Sequence, residues 1–293
     1  MDTRDSLIEH AHPELKSPIL IAAFRGWNDA GESATHAVDH LRTVWAAEKM
    51  SEIDPEEFFD FQAVRPQVEL INGRTRKITW PANELWSAEL EGSHDVILLL
   101  GTEPSHRWRT FSDLIADVAR ANDVSLVVTL GALLADVPHS RPVHVSGTAA
   151  DDELVERLGL QRSRYEGPTG IVGVLHDACA KTGIASASLW AAVPHYLAVS
   201  PNPKAALALV EKVTALTGIP VAVGELERST STYEERVADM VEGDEDVRAY
   251  VQLLEERSDE RDETEHTPID ASNLPSGDAL AAELERFLRD RDE

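Results

Sequence analysis

Pro18-Ile-Leu-Ile-Ala-Ala-Phe24, followed by Arg25-Gly-Trp-Asn-Asp-Ala-Gly31, is the stretch of sequence that decides the fold class. The first segment is a short continuous apolar run, which predicts a buried strand. The second segment is a loop with two glycines, and it precedes a helical pattern from about Ser33 to Ala47. A strand, a glycine-bearing loop and a helix in this order indicate the beginning of an α/β fold.

The same alternation continues along the chain. Apolar runs predict strands at Asp95–Leu100, Val124–Leu130 and Ile184–Val193, and small residues in the last run indicate that something packs close to it. Helical patterns are found at Thr110–Ala121, Asp151–Leu158, Gly170–Thr182 and Pro203–Thr217. Asn72-Gly73 predicts a hairpin over residues 68–80, and residues 131–142 are expected to form a loop. Together these elements predict a three-layer α/β/α core with a mostly parallel or mixed sheet.

The last part of the chain differs in composition. Residues 225–293 contain 23 acidic and 8 basic residues, whereas the whole chain has a net charge of −26. We therefore expect an α/β core domain at residues 1–224 and an acidic helical extension at residues 225–293. In the extension, apolar residues recur at helical spacing: Tyr233, Val237, Met240 and Val241, then Val247, Tyr250, Val251 and Leu254, and finally Leu280, Leu284 and Phe287 in a short helix from Asp278 to Leu288.

Two pairs of residues have the spacing of a helix N-terminal cap. Thr110 with Asp113 and Ser231 with Glu234 lie three positions apart, so they predict helix starts at Thr110 and Ser231. The residues from Arg257 to Glu265 are almost all charged and are expected to be exposed to solvent.

Composition excludes several classes of function. A chain this acidic does not have the basic surface that nucleic-acid binding or docking on anionic membranes requires. Cys179 is the single cysteine, the first 18 residues lack the apolar segment of a signal peptide, and no apolar run is long enough to span a membrane. These features predict a cytoplasmic protein.

The sequence contains no catalytic signature of the common kinds, such as a nucleophile elbow, a phosphate-binding P-loop or a zinc-protease helix. Asp136, His139 and Arg141 form the most enzyme-like loop, because they offer a carboxylate, an imidazole and a guanidinium after a buried strand. The alternative is a loop held by its own contacts or by a subunit contact. His36 and His40 have metal-ligand spacing, but a third ligand is missing, so neither a metal nor a cofactor is expected.

A second candidate is Gly167-Pro-Thr-Gly-Ile-Val-Gly173, which opens a predicted helix. The free N–H groups of a helix start attract phosphate or carboxylate, so this segment could bind an anion. Close packing between the helix and the sheet explains the glycines equally well. The loops that begin at Gly26, Gly101, Gly131 and Pro194 all follow predicted strands and could converge at one edge of the sheet.

Several loop motifs together resemble one known family. They are Phe24-Arg-Gly-Trp-Asn-Asp-Ala-Gly31, Gly101-Thr-Glu-Pro104 with Trp108, Pro138-His-Ser-Arg-Pro142, Tyr165-Glu-Gly-Pro-Thr-Gly170, and Trp190-Ala-Ala-Val-Pro-His-Tyr196 with Pro201-Asn-Pro203. This ordered set, which spans about Pro18 to Gly218, resembles the proteasome assembly chaperone family, in the branch of its second eukaryotic member. The arginine-rich, lysine-poor composition is most similar to actinobacterial members.

The resemblance implies a core like that of nucleoside phosphorylases and a homo-oligomer, with a trimer favoured. It also implies a proteasome-related protein partner. Family members that dock on the proteasome ring often end in a hydrophobic residue, tyrosine and any residue, whereas this sequence ends Arg289-Asp-Arg-Asp-Glu293, so docking by that mode is not expected. The ligand-binding or interface candidates are the motif residues Gly26, Trp27, Asn28, Asp29, Glu103, Pro138, His139, Arg141, Tyr165, Gly167, Thr169, Gly170, His195, Tyr196 and Asn202.

Two functional hypotheses follow. The first is an oligomeric interaction protein that resembles an assembly chaperone, in which these loops and the extension contact subunits or partners. The second is a small-molecule enzyme or sensor that binds a nucleoside-like or anionic ligand at the loops beyond the strand ends.

Overall fold

The computed structural model describes residues 6–149, 151–162, 165–197 and 199–264. Within these ranges the strands are β1 (Leu7–Glu9), β2 (Ile19–Arg25), β3 (Glu48–Ile53), β4 (Gln67–Ile71), β5 (Thr75–Thr79), β6 (Asn83–Ala88), β7 (Val96–Thr102), β8 (Leu126–Ala135), β9 (Val145–Ala149), β10 (Gln161–Arg162) and β11 (Ser186–Pro194). The helices are α1 (Ser33–Val44), α2 (Trp108–Ala121), α3 (Asp152–Leu158), α4 (Ile171–Thr182), α5 (Pro203–Thr217), α6 (Gly224–Glu242) and α7 (Glu245–Thr264).

Nine of these strands form one mixed sheet in the order β1-β3-β6-β7-β2-β8-β11-β9-β10. The apolar run that begins at Pro18 contains β2, which pairs in parallel with both β7 and β8. Antiparallel pairing continues from β7 to β6, from β6 to β3 and from β3 to β1. The α/β class with a mixed sheet is therefore confirmed, and the continuous apolar sequence of β2 follows from its burial at the middle of the sheet.

Two compact units can be distinguished within the chain. The first comprises the residues up to Asn28, residues 38–130 and residues 169–188. Its core includes a chain of edge-to-face rings, in which Phe111 lies 6.0 Å from Phe24 and 5.3 Å from Phe58 between ring centroids. Helices α2 and α4 pack against each other in this unit.

The second unit comprises residues 29–37, residues 131–168 and the chain from Leu189 onward. Helix α5 packs against α6 there, and α6 packs against α7. An apolar cluster joins the segment that follows β11 to α6 and α7; its buried members are Leu197, Val199, Tyr233, Val237, Val241 and Val251. The C-terminal region is thus helical, as predicted. The division at residue 224 stays a prediction.

Three predictions about element boundaries were wrong. β8 does not end at Leu130 but continues to Ala135, and Gly131 is needed because a Cβ there would lie 2.9 Å from a ring carbon of Trp190. α2 begins at Trp108 after a left-handed Arg107, without the predicted Thr110 cap. α6 begins at Gly224 rather than at Ser231, whose hydroxyl instead donates to the backbone oxygen of Glu227.

The predictions for the hairpin, for the apolar stripe on α6 and for the last helix have different outcomes. The hairpin is confirmed, with Asn72 and Gly73 both at positive φ in the turn between β4 and β5. Of the predicted apolar stripe on α6, Tyr233, Val237 and Val241 are buried, whereas Met240 is 50% exposed. The predicted helix from Asp278 to Leu288 lies outside the described residues. No helix among the described ones is long and apolar enough to cross a membrane.

Candidate functional site

The first cluster of candidate residues is centred on the carboxylate of Glu103, just beyond the end of β7. Its Oε1 accepts a hydrogen bond from the backbone N–H of Ile171, at 2.8 Å, and one from the side-chain amide of Asn28, at 3.2 Å. The backbone N–H of Glu103 in turn donates to the oxygen of Arg25, at 2.9 Å. Three segments that are far apart in sequence therefore meet at one carboxylate, and they contain the candidate residues Asn28, Glu103 and Gly170.

Two glycines allow this close approach. Gly26 has φ +135°, a conformation that side-chain-bearing residues rarely adopt, and a Cβ there would lie 3.2 Å from the Cβ of Glu103. At Gly170 a Cβ would lie 2.8 Å from Oε1 of Glu103 and closer still to the amide nitrogen of Asn28. The glycines of both motifs thus have a packing role.

The position of Glu103 bears on the anion-binding hypothesis. Gly170 is the residue before α4, so its neighbour Ile171 carries the first N–H of that helix. A helix start attracts an anion because its N–H groups are unpaired and the helix dipole is positive there. In this protein a carboxylate of the same chain already fills that place. Trp27, by contrast, projects from the same loop with 60% of its surface exposed.

Asp29 and Asn202 both serve as helix caps in the second unit. Asp29 Oδ1 accepts from Ala34 N at 2.7 Å, and Oδ2 accepts from the Thr35 hydroxyl at 2.5 Å. Burial raises the pKa of Asp29, and the hydrogen bonds from Thr35 and Ala34 oppose that rise. Asn202 Oδ1 accepts from Ala205 N at 3.0 Å at the start of α5, while its own N–H donates to the oxygen of Gly31.

The loop that looked most enzyme-like, residues 136–142, is held by helix α7. Arg141 donates two hydrogen bonds to the carboxylate of Asp259, at 2.8 and 2.7 Å, and this pairing lowers the pKa of Asp259. Ser140 donates to Glu255, and Tyr250 donates to Asp136 at 3.3 Å. The residues of α7 that make these contacts lie more than a hundred positions from the loop, which is why no local sequence signal identified them.

His139 and Tyr196, two further candidates, are bonded to each other. The His139 backbone N–H donates to the Tyr196 hydroxyl at 2.8 Å, and that hydroxyl lies 2.9 Å from Nδ1 of the same histidine. Lys204 donates to the His139 backbone oxygen at 2.6 Å and pairs with Glu234 at 2.7 Å. Burial lowers the pKa of His139, and the charge of Lys204 lowers it further.

Four rings stack edge-to-face beside this loop: His139, His195, Tyr196 and Tyr250. His195 places Nδ1 3.2 Å from Asp136 Oδ1. Its Nε2 is buried and has no hydrogen-bond partner among the described residues. A carboxylate–imidazole pair is therefore present, but within the described part of the chain no nucleophile lies at hydrogen-bond distance of that Nε2.

Two of the remaining candidates, Tyr165 and Gly167, lie in a local turn. The Tyr165 hydroxyl donates to the backbone oxygen of Pro168 at 2.7 Å, and a Cβ added at Gly167 would lie 2.7 Å from the same hydroxyl. Thr169 contacts Gly173, where an added Cβ would collide with its hydroxyl. Pro138 is buried. In the described ranges, no group of three or more His, Cys, Asp or Glu side chains is arranged to hold a metal ion.

Sequence reasoning missed one buried polar network in the first unit. His176 on α4 has Nε2 at 2.9 Å from the Thr129 hydroxyl and 2.5 Å from that of Ser188, and Nδ1 at 2.8 Å from that of Ser186. Burial lowers the pKa of His176 to about 4. The signal that could have located it was the run of small residues in β11, since Ser186 and Ser188 are where the close packing occurs.

These features define an α/β protein with a mixed sheet, helical C-terminal region and internally bonded loops at its motif residues. The profile of the PAC2 family matches residues 23–241, and the chain belongs to that family. No match was found among curated proteins.

Three solved structures show how widely the fold is shared. A PAC2 family protein from Streptomyces avermitilis is 44% identical, with a TM-score of 0.74, over 80% of this chain and 99% of that one. A proteasome-assembly chaperone homologue from Mycobacterium tuberculosis is 43% identical, with a TM-score of 0.73, over 80% and 99% of the two chains. PbaB of Pyrococcus furiosus, an archaeal proteasome activator, is 18% identical with a TM-score of 0.64, over 80% and 97%, and shares the fold.

Proposed function

We propose that this protein is an oligomeric interaction protein with an assembly-chaperone-like role, and that proteasome subunits are its class of partner. The proposal is supported by membership of the PAC2 family and by the M. tuberculosis relative, which is described as a proteasome-assembly chaperone homologue. It includes a cytoplasmic location and a homo-oligomer, for which a trimer is the expected form.

The observation that carries the proposal is that the polar groups of the motif loops bond to each other. Glu103 is bonded to Ile171 and Asn28, Arg141 to Asp259, and His139 to Tyr196. Groups that are hydrogen-bonded to each other in this way fix the conformation of a loop. They are not positioned to exchange a proton with a bound substrate. Rigid loops of defined shape are what a protein-binding surface requires.

Trp27 is the residue that such a surface would use. It is the large exposed side chain of the Gly26–Asp29 loop, and the Glu103 contacts on either side fix the backbone from which it projects. Exposed tryptophans dominate many protein interfaces because one side chain buries a large apolar area. We assign Trp27 as a partner-contact residue.

The test is capture of partners from native lysate by the tagged full-length protein after mild crosslinking, with identification by mass spectrometry. Trp27→Ala is compared with Met240→Ala, which removes another exposed apolar side chain, on α6. We expect the wild type and Met240→Ala to recover proteasome subunits in near-stoichiometric amounts, and Trp27→Ala to lose at least nine-tenths of them, since a central interface tryptophan contributes about 2 kcal/mol or more. Recovery of self-oligomers alone would contradict the chaperone role.

The oligomer is tested separately by size-exclusion chromatography with light scattering. A mass three times that of the 32.2 kDa chain supports the trimer. A monomer over the whole concentration range contradicts the oligomer, whatever the capture experiment recovers.

The alternative of a small-molecule site makes a different prediction. A nucleoside-like or anionic ligand would have to displace Glu103 from the start of α4, or the α7 carboxylates from Arg141. A thermal-shift series with inorganic phosphate and nucleoside monophosphates tests this. Stabilisation that is abolished in folded His139→Ala and Arg141→Ala variants would support the alternative, whereas the interaction role predicts no shift with any of these compounds.

A further inference from the structure

The hairpin formed by β4 and β5 is exposed over its whole length. Every residue from Gln67 to Trp80 is exposed, on both faces of the two strands. An isolated two-stranded hairpin is marginally stable in water. An element of this kind that persists in a folded protein is expected to gain stability from a partner.

One face of the hairpin is apolar. Val68 pairs directly with Ile78, and Leu70 pairs with Arg76, so these four side chains share a face. Trp80, two positions beyond Ile78, follows the same alternation and stacks edge-to-face on Phe61 at 4.8 Å between centroids. The exposed fractions are 61% for Val68, 62% for Leu70 and 56% for Ile78. Contiguous exposed apolar side chains of this kind mark interaction sites.

The hairpin is also basic in a strongly acidic protein. Residues 65–80 contain four basic residues, Arg65, Arg74, Arg76 and Lys77, against the single acid Glu69, a net of +3, whereas the chain as a whole carries −26. Among the described residues, none of the four forms an ion pair with another side chain. A partner for this face should therefore combine apolar side chains with acidic ones.

The C-terminal segment of the chain has that chemistry. Residues 265–293 carry eight acidic and three basic residues, a net of −5. Their sequence predicts an amphipathic helix from Asp278 to Leu288 with Leu280, Leu284 and Phe287 on one stripe and Glu283 beside it. Such a helix is about 16 Å long. Each five-residue strand of the hairpin is about 17 Å long, so the two match in length.

We propose that the apolar face of the β4–β5 hairpin is a docking surface for the acidic C-terminal segment, residues 278–288, of a second copy of this chain. Leu280, Leu284 and Phe287 cover Val68, Leu70 and Ile78, and the neighbouring Glu283 approaches Arg76, which shares that face of the hairpin. This assignment rests on the proposed oligomer and names the surface that forms it. Since the partner residues belong to another copy, each protomer provides one surface and one segment.

The test uses full-length variants and sedimentation-velocity measurements over a range of concentrations. Ile78→Asn disrupts the apolar face, and Leu284→Asn disrupts the segment. The matched control is Ile71→Asn, which changes an exposed isoleucine on the opposite face of the same hairpin, where it pairs with Thr75. Because Ile71 and Ile78 are exposed, circular dichroism should show unchanged folds for these two hairpin variants.

We expect both disruptive variants to weaken self-association at least tenfold and the control to stay within twofold of the wild type. An equimolar mixture of Ile78→Asn and Leu284→Asn should form heterodimers, because the first retains an intact segment and the second an intact surface.

Three outcomes overturn the assignment. If Ile78→Asn associates like the wild type, the oligomer stands but uses another surface. If Ile78→Asn weakens association and Leu284→Asn does not, or if their mixture forms no heterodimer, the occupant is not the C-terminal segment of a second copy. A wild type that remains monomeric overturns both this assignment and the proposed oligomer.

Discussion

Glu103 shows how one side chain can organise several loops of the first unit. Its carboxylate joins the Gly26–Asn28 loop to the start of α4, and the two neighbouring glycines leave it room. The interaction combines a charged acceptor with a helix N-terminus, which is among the more favourable kinds of hydrogen bond in proteins. The family motifs that contain these residues are therefore explained by one local structure.

Replacing Gly170 by alanine tests that structure. The new Cβ would be forced against Asn28 and Glu103, so Gly170→Ala should lower the free energy of unfolding by about 1–3 kcal/mol. Gly243→Ala is the control, because its Cβ would have no heavy atom nearer than 3.5 Å. Urea denaturation measures both, and equal stabilities would show that the loops can separate without cost.

His176 makes a prediction about acid stability. Its pKa is lowered from 6.5 to about 4 by burial, so the unfolded chain binds a proton between these pH values while the folded protein does not. The contribution of neutral His176 is complete above pH 6.5 and is lost as the pH falls toward 4, by roughly 3 kcal/mol in total.

The measurement is urea denaturation at a series of pH values for the wild type and His176→Gln. The variant lacks the titrating group, so its stability should fall less steeply than that of the wild type between pH 6.5 and 4. The quantity compared is the slope of the free energy of unfolding against pH, because the substitution also changes the hydrogen bonds to Thr129 and Ser188. Parallel profiles would contradict a buried, neutral His176.

Helix α7 has a role in the structure that the sequence did not predict. It was expected to present an apolar stripe, and it does bury Tyr250, Val251 and Leu254. It also supplies the acids that pair with Arg141, so the acidic composition of this helix has a structural use beyond solubility. Exposed pairs of this kind contribute little each, so the buried stripe must provide most of the docking energy.

Substitutions of Tyr250 test whether the buried stripe or the surface ion pairs hold α7 in place. Tyr250→Ala should leave a cavity that costs about 3–5 kcal/mol and should speed hydrogen exchange of the α7 amides. Tyr250→Phe keeps the ring and loses the bond to Asp136, so it should cost about 1 kcal/mol and leave the exchange pattern unchanged. Similar exchange in both variants would mean that α7 is held by its surface ion pairs instead.

At the scale of the whole molecule, the excess of acidic over basic residues is the dominant feature. The net charge of −26 makes the chain repel itself, and 23 of the 53 acidic residues lie in the last 69 positions. The protein therefore has to offset this repulsion through its apolar core, and screening by salt should help it to do so.

We expect the thermal unfolding midpoint to rise by a few degrees between about 20 and about 200 mM NaCl, because a shorter Debye length screens like-charge repulsion. Differential scanning calorimetry at constant pH and protein concentration measures it. A falling midpoint would show that attractive ion pairs, such as Lys204 with Glu234, outweigh the repulsion.

Local sequence patterns determined the α/β class, the central strands, most helices, the Asn72-Gly73 hairpin and the family, because these depend on residues close together in the chain. The family motifs also placed Asn28, Glu103 and Gly170 among the candidate residues, without indicating that they lie together. Only the tertiary structure decided which atoms meet: that Glu103 fills the start of α4, that α7 binds the Asp136–Pro142 segment, and that His176 lies among three hydroxyls. Such contacts join residues far apart in sequence, and their energies depend on burial and geometry, which no local pattern records.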